Sequence, residues 1–390
     1  MSGLTTTGAT VLSDIHVLPK SLLLWRAMTH WLGGLGIVVL FVAVLPTLGV
    51  GGKRLFNVEA PGPSQPGVKP RIRETARMLW YIYCGMTLLQ MLALMATGMD
   101  LFDAICHTFA TLATGGFSTK NASAGAYTPA AQIVMIVFMV LAGANFGLYY
   151  HILQRQFKRF WRDPEFQLYL GILAVASLIV IGSLVGHNLV LTDGTVIEGS
   201  IANATLHGVF QVVSIQTTTG FGTVDSNLWS FLPKMTLLIL MFIGGCAGST
   251  GGGIKVVRIL VGFKIFKAEL ERVFRPNVVR SIKVGKSVID PQMRQAVIVY
   301  ILTIMLIFAV GTITLVLLEQ GNGIDIITAV TASAATLHNV GPGFSRVGAI
   351  ENYGWFSSPS LVVMSLLMAL GRLEVYALLV LFVPRFWRKP

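Results

Sequence analysis

The sequence predicts an all-α polytopic membrane protein built from four repeated units, the first of which is incomplete at its N-terminus. Three observations support this fold class. The chain of 390 residues is 54% hydrophobic and only 12% charged, whereas soluble domains carry about 25% charged residues. Seven apolar stretches are long enough to cross a bilayer as helices, which takes about 20 residues each. A cluster of threonine and glycine recurs four times at a long, nearly constant spacing, as repeats do.

The seven predicted spans alternate with loops of very different charge. Most of the 29 lysines and arginines lie in the loops after the first, third and fifth spans and in the C-terminal tail. Positively charged loops stay on the cytoplasmic side, so these loops are predicted to be cytoplasmic and the others to face outward. The net charge of +12 is therefore a topology signal, and we expect no nucleic-acid partner. The spans are approximately Leu22–Leu45, Ala76–Thr97, Ala130–Leu153, Phe166–Val185, Phe231–Gly253, Ala296–Leu318 and Leu361–Val383.

Each outward-facing segment contains one threonine- and glycine-rich cluster. The equivalent glycines are taken to be Gly8, Gly115, Gly220 and Gly341, with spacings of 107, 105 and 121 residues. Short apolar segments before the last three clusters predict re-entrant helices, which are Asp103–Leu112, Ala202–Ile215 and Asp325–Leu337. The span after each cluster carries a mid-helix glycine, and these are Gly34, Gly143, Gly245 and Gly371. The predicted unit is therefore span, pore loop, span.

The clusters have the chemistry of an ion filter. Non-helical backbone at membrane depth is tolerated only where it lines a water-filled path or is buried in protein. Closely spaced carbonyls can replace the hydration shell of an ion, and the C-terminal ends of the re-entrant helices favour a cation. No carboxylate lies within the clusters, which favours a monovalent cation. One cluster alone fits a flexible outer loop equally well, and the fourfold recurrence favours the filter. Its predicted residues are Thr6, Thr7, Gly8, Ala113, Thr114, Gly115, Thr218, Thr219, Gly220, Asn339, Val340 and Gly341.

Catalytic chemistry finds no support in the sequence. His107, His207 and His338 lie 8, 13 and 3 residues before the cluster glycines, so they do not occupy equivalent positions. We interpret them as packing or water-contacting residues. The sequence contains no HExxH motif and no carboxylate pair on one helix face, so we expect neither an enzyme nor a bound cofactor.

Six stretches together resemble the Trk/Ktr/HKT superfamily of potassium transporters, in particular its TrkH/TrkG branch. They are Thr5–Thr10, Trp31–Gly36, Thr114–Thr119, Thr217–Thr223, Gly244–Lys255 and Asn339–Phe344. The resemblance implies four units around one pore in the bacterial inner membrane, with K⁺ as the transported ion and the only metal, held at the filter. It also implies a homodimer and a cytosolic TrkA-type nucleotide-binding regulatory subunit. Glycine at all four filter positions fits K⁺ better than Na⁺.

The start of the chain departs from that family. Members have an outer span and a re-entrant helix before the first cluster, and the TrkH branch has two further spans. From Ala76 to Gly115 is 39 residues, whereas only seven residues precede Gly8. We therefore expect a misassigned start or a fragment, and expect that the chain as given cannot close a four-sided filter. The predicted units are residues 1–60, 61–160, 161–285 and 286–390.

The fifth span is interrupted by a glycine-rich loop, Gly244–Gly253. Six glycines in ten residues are incompatible with a regular helix, because each costs about 1 kcal/mol relative to alanine. The resemblance implies a loop that obstructs the pore and moves on gating; the alternative is a helix end with a flexible exit. Ile254 follows in place of the lysine of a phosphate-binding loop. The predicted gate residues are Gly244, Gly245, Ala247, Gly248, Ser249, Thr250, Gly251, Gly252 and Gly253.

Arg372 lies in the middle of the last predicted span, where a charge is costly and usually faces a cavity or a partner. Glu374 is two residues away and is predicted to point to another face. We expect Arg372 to project into the pore beneath the filter as an electrostatic barrier, a role that the family gives to an arginine there. The alternative is a buried ion pair with another unit. The sequence favours gated, passive K⁺ conduction and leaves open a symporter coupled to Na⁺ or H⁺, while an enzyme or a non-conducting scaffold is disfavoured.

Overall fold

The computed structural model describes residues 1–43, 72–276, 281–285 and 287–387. Several sequence predictions fall outside these ranges. They are the boundary between units at residues 60 and 61, the end of the first predicted span, and the basic residues Lys53, Arg54, Lys69, Arg71, Arg388 and Lys389.

The described chain is mainly helical, with two short antiparallel hairpins. The helices are α1 (Lys20–Ala43), α2 (Ile72–Ala96), α3 (Leu101–Leu112), α4 (Pro129–Gly143), α5 (Phe146–Leu153), α6 (Phe157–Trp161), α7 (Pro164–Leu184), α8 (Ile201–Gln216), α9 (Phe231–Phe242), α10 (Val256–Phe274), α11 (Pro291–Leu318), α12 (Ile326–Leu337), α13 (Ser358–Arg372), α14 (Tyr376–Leu379) and α15 (Pro384–Trp387). The hairpins pair β1 (Leu189–Val190) with β2 (Val196–Ile197), and β3 (Lys283–Val284) with β4 (Ser287–Val288).

The re-entrant helices are α3, α8 and α12, and their extents agree with the predicted segments to within two residues. Polar residues define where helices begin. Ser200 accepts the amide of Asn203 before α8, and Asp325 accepts the amide of Thr328 before α12. Such N-caps satisfy amides that have no partner within the helix. Helices α8 and α12 begin at such a cap, and all three re-entrant helices end at a threonine- and glycine-rich cluster.

The units are arranged in a cycle. In units two to four the re-entrant helix packs on the long helix before it, as α3 does on α2, α8 on α7 and α12 on α11. It also packs on the inner helix of the preceding unit: α3 contacts α1, α8 contacts α4, and α12 contacts α9. Each re-entrant helix of units two to four therefore packs between two units, and this packing brings the four clusters to a common centre.

The outer surface of the described chain suits lipid. Three of its helical segments are long and apolar enough to span a membrane, Ala76–Ala96, Pro164–Leu184 and Pro291–Leu318, and the bent pair α4–α5 forms a fourth candidate. Helix α11 exposes Leu302, Leu306, Val310, Ile313 and Leu317. A helix that is apolar on all sides and apolar on its exposed face is typical of a membrane span.

Two predicted spans are not continuous helices. The third bends by 98° between α4 and α5, where Asn145 accepts the amide of Gly147 and the carbonyl of Gly248 accepts the amide of Phe146. The last ends as α13 at Arg372, followed by positive φ angles at Glu374 and Val375. Apolar length did not reveal these breaks, because the partners of the freed backbone groups are distant in sequence. The predicted interruption of the fifth span is observed, since α9 ends at Phe242.

Candidate functional site

The four clusters share one backbone conformation. A non-glycine residue has φ between 52° and 59° in each cluster, and two positions later a glycine has φ between 78° and 100°. The first set is Thr6, Thr114, Thr218 and Asn339, and the second is Gly8, Gly116, Gly220 and Gly341. The structural equivalent of Gly8 in the second unit is therefore Gly116, and the predicted equivalence of Gly115 is wrong by one residue. Ala113, placed in the filter from sequence, is the C-cap of α3.

Each cluster continues directly from a helical turn. The residue after the positive-φ threonine or asparagine donates to a carbonyl five positions earlier: Thr7 to Ser2, Gly115 to Ala110, Thr219 to Ser214 and Val340 to Ala335, at 2.7–2.9 Å. This bond belongs to the motif in which a helix ends through a left-handed residue. Threonine at a left-handed position costs about 1–2 kcal/mol, and such strain is concentrated at functional sites.

The four glycines form a closed ring. A Cβ atom added to Gly8 would overlap the carbonyl oxygen of Gly115 in the second unit. In the same way, a Cβ on Gly116 would overlap the carbonyl oxygen of Thr219 in the third unit. A Cβ on Gly220 would overlap that of Val340 in the fourth unit, and a Cβ on Gly341 that of Thr7 in the first. We call Gly8, Gly116, Gly220 and Gly341 the glycine ring. The expectation that this chain cannot close a four-sided filter is therefore wrong, because residues 1–10 supply the side that belongs to the first unit.

A cavity of about 100 Å³ opens on one face of the glycine ring and touches all four of its members. We call this cavity the vestibule. Its charged lining residues are Arg26, Lys120 and Glu351. Arg26 is held in place by a 3.3 Å hydrogen bond to Thr10 and by a cation–π contact with Phe117. Glu351 is thus the one carboxylate among the described residues that line the vestibule, and the clusters themselves contain none.

The side-chain contacts behind the ring differ between the units and break the fourfold symmetry. In the first unit Thr5 and Thr7 share a 2.9 Å hydroxyl contact, and in the third Thr217 and Thr219 share one of 2.8 Å. The fourth unit uses Asn339, whose amide donates to Thr7 and to the carbonyl of Met368, both at 3.0 Å. The site is thus approximately, not strictly, fourfold, and Asn339 joins the last unit to the first.

The glycine-rich loop, Gly244–Gly253, lies on the side of the ring opposite the vestibule. Thr250 is its central contact: its hydroxyl donates to the carbonyl of Leu112 at 2.9 Å, and its carbonyl accepts from Thr114 at 2.9 Å. Gly252 donates to the hydroxyl of Thr218 at 2.6 Å and lies against the carbonyl of His338. The loop therefore contacts the second, third and fourth clusters just before their ring glycines.

The ends of the loop are anchored to neighbouring helices. The amide of Gly244 donates a hydrogen bond to the carbonyl of Ile254, and the amide of Cys246 donates one to the carbonyl of Gly143. Gly245, Ser249 and Gly251 pack closely around one another, and the hydroxyl of Ser249 donates to Cys246 at 2.6 Å. Gly248 and Gly253 have positive φ. The loop is therefore held at several points against this side of the ring.

Glu165 holds the glycine-rich loop and was not identified from the sequence. The side chain is buried at the start of α7, and its Oε1 accepts amide hydrogens from Ala247 at 2.6 Å and Val257 at 3.0 Å. One carboxylate therefore ties the loop to the first turn of α10. Nothing in the sequence around Glu165 indicated this contact, because its partners lie 82 and 92 positions away.

Arg372 lies beside the glycine-rich loop. The residue is 6% exposed, and its guanidinium donates to the carbonyls of Thr250 at 2.7 Å and Gly33 at 3.3 Å. Among the described residues no carboxylate lies within 4.0 Å of it, and Glu374 instead pairs with Arg258 at 2.6 Å. Arg372 thus bridges the glycine-rich loop and the inner helix of the first unit.

The mid-helix glycines permit close packing against the clusters. Gly34 lies against Ala113, and Gly143 against Thr217. Gly371 lies against the carbonyl of Leu337, as Gly33 does against that of Leu4. Gly371 therefore corresponds to Gly33, and the predicted equivalence of Gly371 with Gly34 is wrong by one residue. Arg372 occupies the position that corresponds to Gly34.

The histidines near the clusters have different surroundings. His107 bonds Ser118 and His207 bonds Thr223, both at 3.0 Å. The buried ring nitrogens of His338 have no partner among the described residues. His30, not singled out from the sequence, packs on Gly115 and stacks on Phe117 with a centroid distance of 4.1 Å. Within the described ranges no three His, Cys, Asp or Glu side chains are grouped to hold a metal.

The fold and the ring define a polytopic membrane protein with pore loops arranged about one centre. Residues 1–389 match the family model described as TrkH, cation transport protein, and the chain belongs to this family. It is 43% identical over 393 residues to the Trk system potassium uptake protein TrkH of Escherichia coli K12, covering all of this chain and 78% of that protein. Identity to TrkI of Halomonas elongata is 35%, over all of this chain and 77% of that protein. The crystal structure of the potassium transporter TrkH from Vibrio parahaemolyticus superposes with a TM-score of 0.85 and 39% identity, over 99% of this chain and 77% of that one.

Proposed function

We propose that this protein takes up K⁺ across the bacterial inner membrane, with the carbonyls of the four clusters as its selectivity filter. The observation that carries the proposal is the closed glycine ring, in which each unit packs a left-handed glycine against a carbonyl of the next. Rings of backbone carbonyls select K⁺ by replacing its hydration shell. The relatives named as potassium uptake proteins support K⁺ as the ion.

The filter in this proposal comprises three consecutive residues from each unit. It includes the predicted filter residues other than Ala113, with Gly116 added in the second unit. The C-terminal ends of α3, α8 and α12 lead directly into the clusters. The partial negative charge of these helix ends favours a cation. An ion in the filter would therefore be coordinated by neutral carbonyls, because the clusters contain no carboxylate.

The glycine-rich loop is the gate, and Arg372 is the barrier beside it. The loop contacts three clusters, and Arg372 connects it to the first unit. Permeation requires the loop to leave this position. A buried positive charge next to the path repels a cation, at an energy that is large where the effective dielectric constant is low.

Regulation and assembly follow from the same proposal. We expect a homodimer and a cytosolic TrkA-type nucleotide-binding subunit that docks on the basic cytoplasmic loops and displaces the gate. The alternative mechanism is symport of K⁺ with Na⁺ or H⁺. Coupling to H⁺ would require an ionisable relay along the path, and apart from Arg372 and Glu374 the sequence offers few such groups there.

Growth of a bacterium deficient in K⁺ uptake tests the proposal. The protein should restore growth on low K⁺ when expressed with a TrkA-type subunit, and Gly220→Ala should not restore it at equal membrane abundance. Gly171→Ala is the matched control, because its added Cβ meets no atom within 4 Å. Failure of the wild-type protein to restore growth, at good membrane abundance and with the subunit present, would contradict K⁺ uptake.

A further inference from the structure

One member of the glycine ring is hydrogen-bonded by a side chain. The hydroxyl of Tyr353 donates to the carbonyl oxygen of Gly341 at 2.7 Å, and the tyrosine is only 4% exposed. In the described part of the chain no side chain donates to the corresponding carbonyls of Gly8, Gly116 or Gly220. The fourth side of the ring therefore differs from the other three in a way that the backbone alone does not show.

Tyr353 is fixed in place by its own backbone and ring. Its amide donates to the carbonyl of Thr10 at 2.8 Å, two residues beyond Gly8, so the residue spans the junction between the fourth unit and the first. Its ring stacks on Phe356 with a centroid distance of 5.8 Å and packs in a small apolar cluster with Ala9 and Val347. A hydroxyl held this firmly fixes the direction of the carbonyl that it binds.

The second unit has a tyrosine at a similar distance after its ring glycine, Tyr127, but the hydroxyl of this tyrosine has different partners. The hydroxyl of Tyr127 donates to the carboxylate of Asp103 at 2.9 Å and lies 3.1 Å from the hydroxyl of Thr119. It does not reach the carbonyl of Gly116. The contact between Tyr353 and Gly341 is therefore specific to the fourth unit and is not a repeated feature of the fold.

We propose that Tyr353 determines ion specificity by positioning the carbonyl of Gly341. Selectivity among monovalent cations depends on the number of coordinating carbonyls and on the strength of their dipoles. A donated hydrogen bond occupies one lone pair of the oxygen and restrains its rotation toward an ion. Tyr353 thereby makes the fourth carbonyl a weaker and more rigid ligand than the other three. This inference rests on the proposed K⁺ function and assigns a residue to its selectivity.

The test compares Tyr353→Phe with wild type and with Tyr169→Phe in proteoliposomes that also contain a TrkA-type subunit, by the ratio of K⁺ to Na⁺ permeability. Phenylalanine keeps the packing against Phe356 and removes only the hydroxyl. Tyr169 is the matched control, since it is buried and donates to the carbonyl of Val140 at 3.2 Å, which is not part of the clusters. Correct folding is checked by elution as a single species in size-exclusion chromatography.

We expect the K⁺ to Na⁺ ratio of Tyr353→Phe to fall about two- to tenfold, as the loss of one hydrogen bond of typical strength allows, with Tyr169→Phe unchanged. An unchanged ratio in Tyr353→Phe, or an equal fall in Tyr169→Phe, would overturn the inference while leaving K⁺ transport intact. A wild-type protein that does not prefer K⁺ over Na⁺ would overturn the proposed function as well.

Discussion

The guanidinium of Arg372 donates a 2.7 Å hydrogen bond to the carbonyl of Thr250, at the centre of the glycine-rich loop. This bond joins α13 of the fourth unit to the loop supplied by the third. We expect Arg372→Ala to raise basal cation flux roughly tenfold, because it removes both a positive charge from the path and a restraint on the gate. Flux of ⁸⁶Rb⁺ into proteoliposomes measures this. Arg372→Lys, which keeps the charge, should stay near wild type, and an Ala variant with unchanged or lower flux would refute the barrier role.

Arg258 provides the contrasting case of a structural arginine. Its guanidinium pairs with Glu374 at 2.6 Å and lies 3.8 Å from the ring centroid of Tyr300. We expect Arg258→Ala to lower the free energy of unfolding by about 3–5 kcal/mol, since it leaves a buried carboxylate without this partner. Thermal unfolding of the purified protein measures the loss. If Arg258→Ala unfolded at the wild-type temperature, the ion pair would contribute little to stability.

Glu165 should keep the gate closed. Glu165→Ala leaves the amides of Ala247 and Val257 without their acceptor, and a typical hydrogen bond of this kind is worth about 0.5–1.5 kcal/mol. We expect basal flux without the regulatory subunit to rise at least tenfold. Glu165→Gln keeps an oxygen in the same place and should behave nearly as wild type. Equal basal flux in the Ala and wild-type proteins, both correctly folded, would show that Glu165 does not restrain the loop.

The glycine ring should tolerate no side chain. Gly220 has φ of 83°, and a Cβ there would overlap the carbonyl of Val340 and the ring of Pro342. We expect Gly220→Ala to lower K⁺ flux more than tenfold, because both the left-handed conformation and the overlap disfavour it. Gly171→Ala should keep wild-type flux, because a Cβ at this position meets no atom within 4 Å. Wild-type flux in Gly220→Ala would mean that the ring is not the conduction path.

Glu319, just beyond the end of α11, should make stability depend on pH. Burial alone would raise its pKa, but hydrogen bonds from Ser357, Ser360 and Asn322 outweigh burial and lower the pKa below the ordinary 4.5. A carboxyl with a lowered pKa contributes stability above its unfolded pKa, and this is lost as the pH falls through the folded pKa. We expect the unfolding temperature to fall on acidification below about pH 4.5 less steeply in Glu319→Gln than in wild type. Parallel curves would contradict this.

The sequence was most informative where a feature is local. The re-entrant helices were predicted to within two residues, because a polar cap, a short apolar run and a glycine-rich end lie close together in the chain. The same holds for the interruption after Phe242, where glycines are consecutive. The register of the second cluster failed because Gly115 and Gly116 are adjacent, and only their φ angles distinguish them.

Long-range contacts could not be predicted from one sequence. Tyr353 reaches Gly341 within the fourth unit, and Glu165 reaches Ala247 across 82 positions of the third, only because the fold turns the chain back on itself. The bend after Gly143 likewise depends on the distant carbonyl of Gly248. Such residues carry no local pattern, since their function arises from partners that the fold brings to them.

The most direct test is the reversal potential of the protein reconstituted together with a TrkA-type subunit, with K⁺ on one side of the membrane and Na⁺ on the other. The closed ring of four carbonyl strands predicts a potential close to that of a K⁺-selective path. It also predicts that Gly116→Ala, the ring position that the structure adds in the second unit, abolishes this selective current. A reversal potential near zero in the wild-type protein would contradict the account, because the ring would then not discriminate between the two ions.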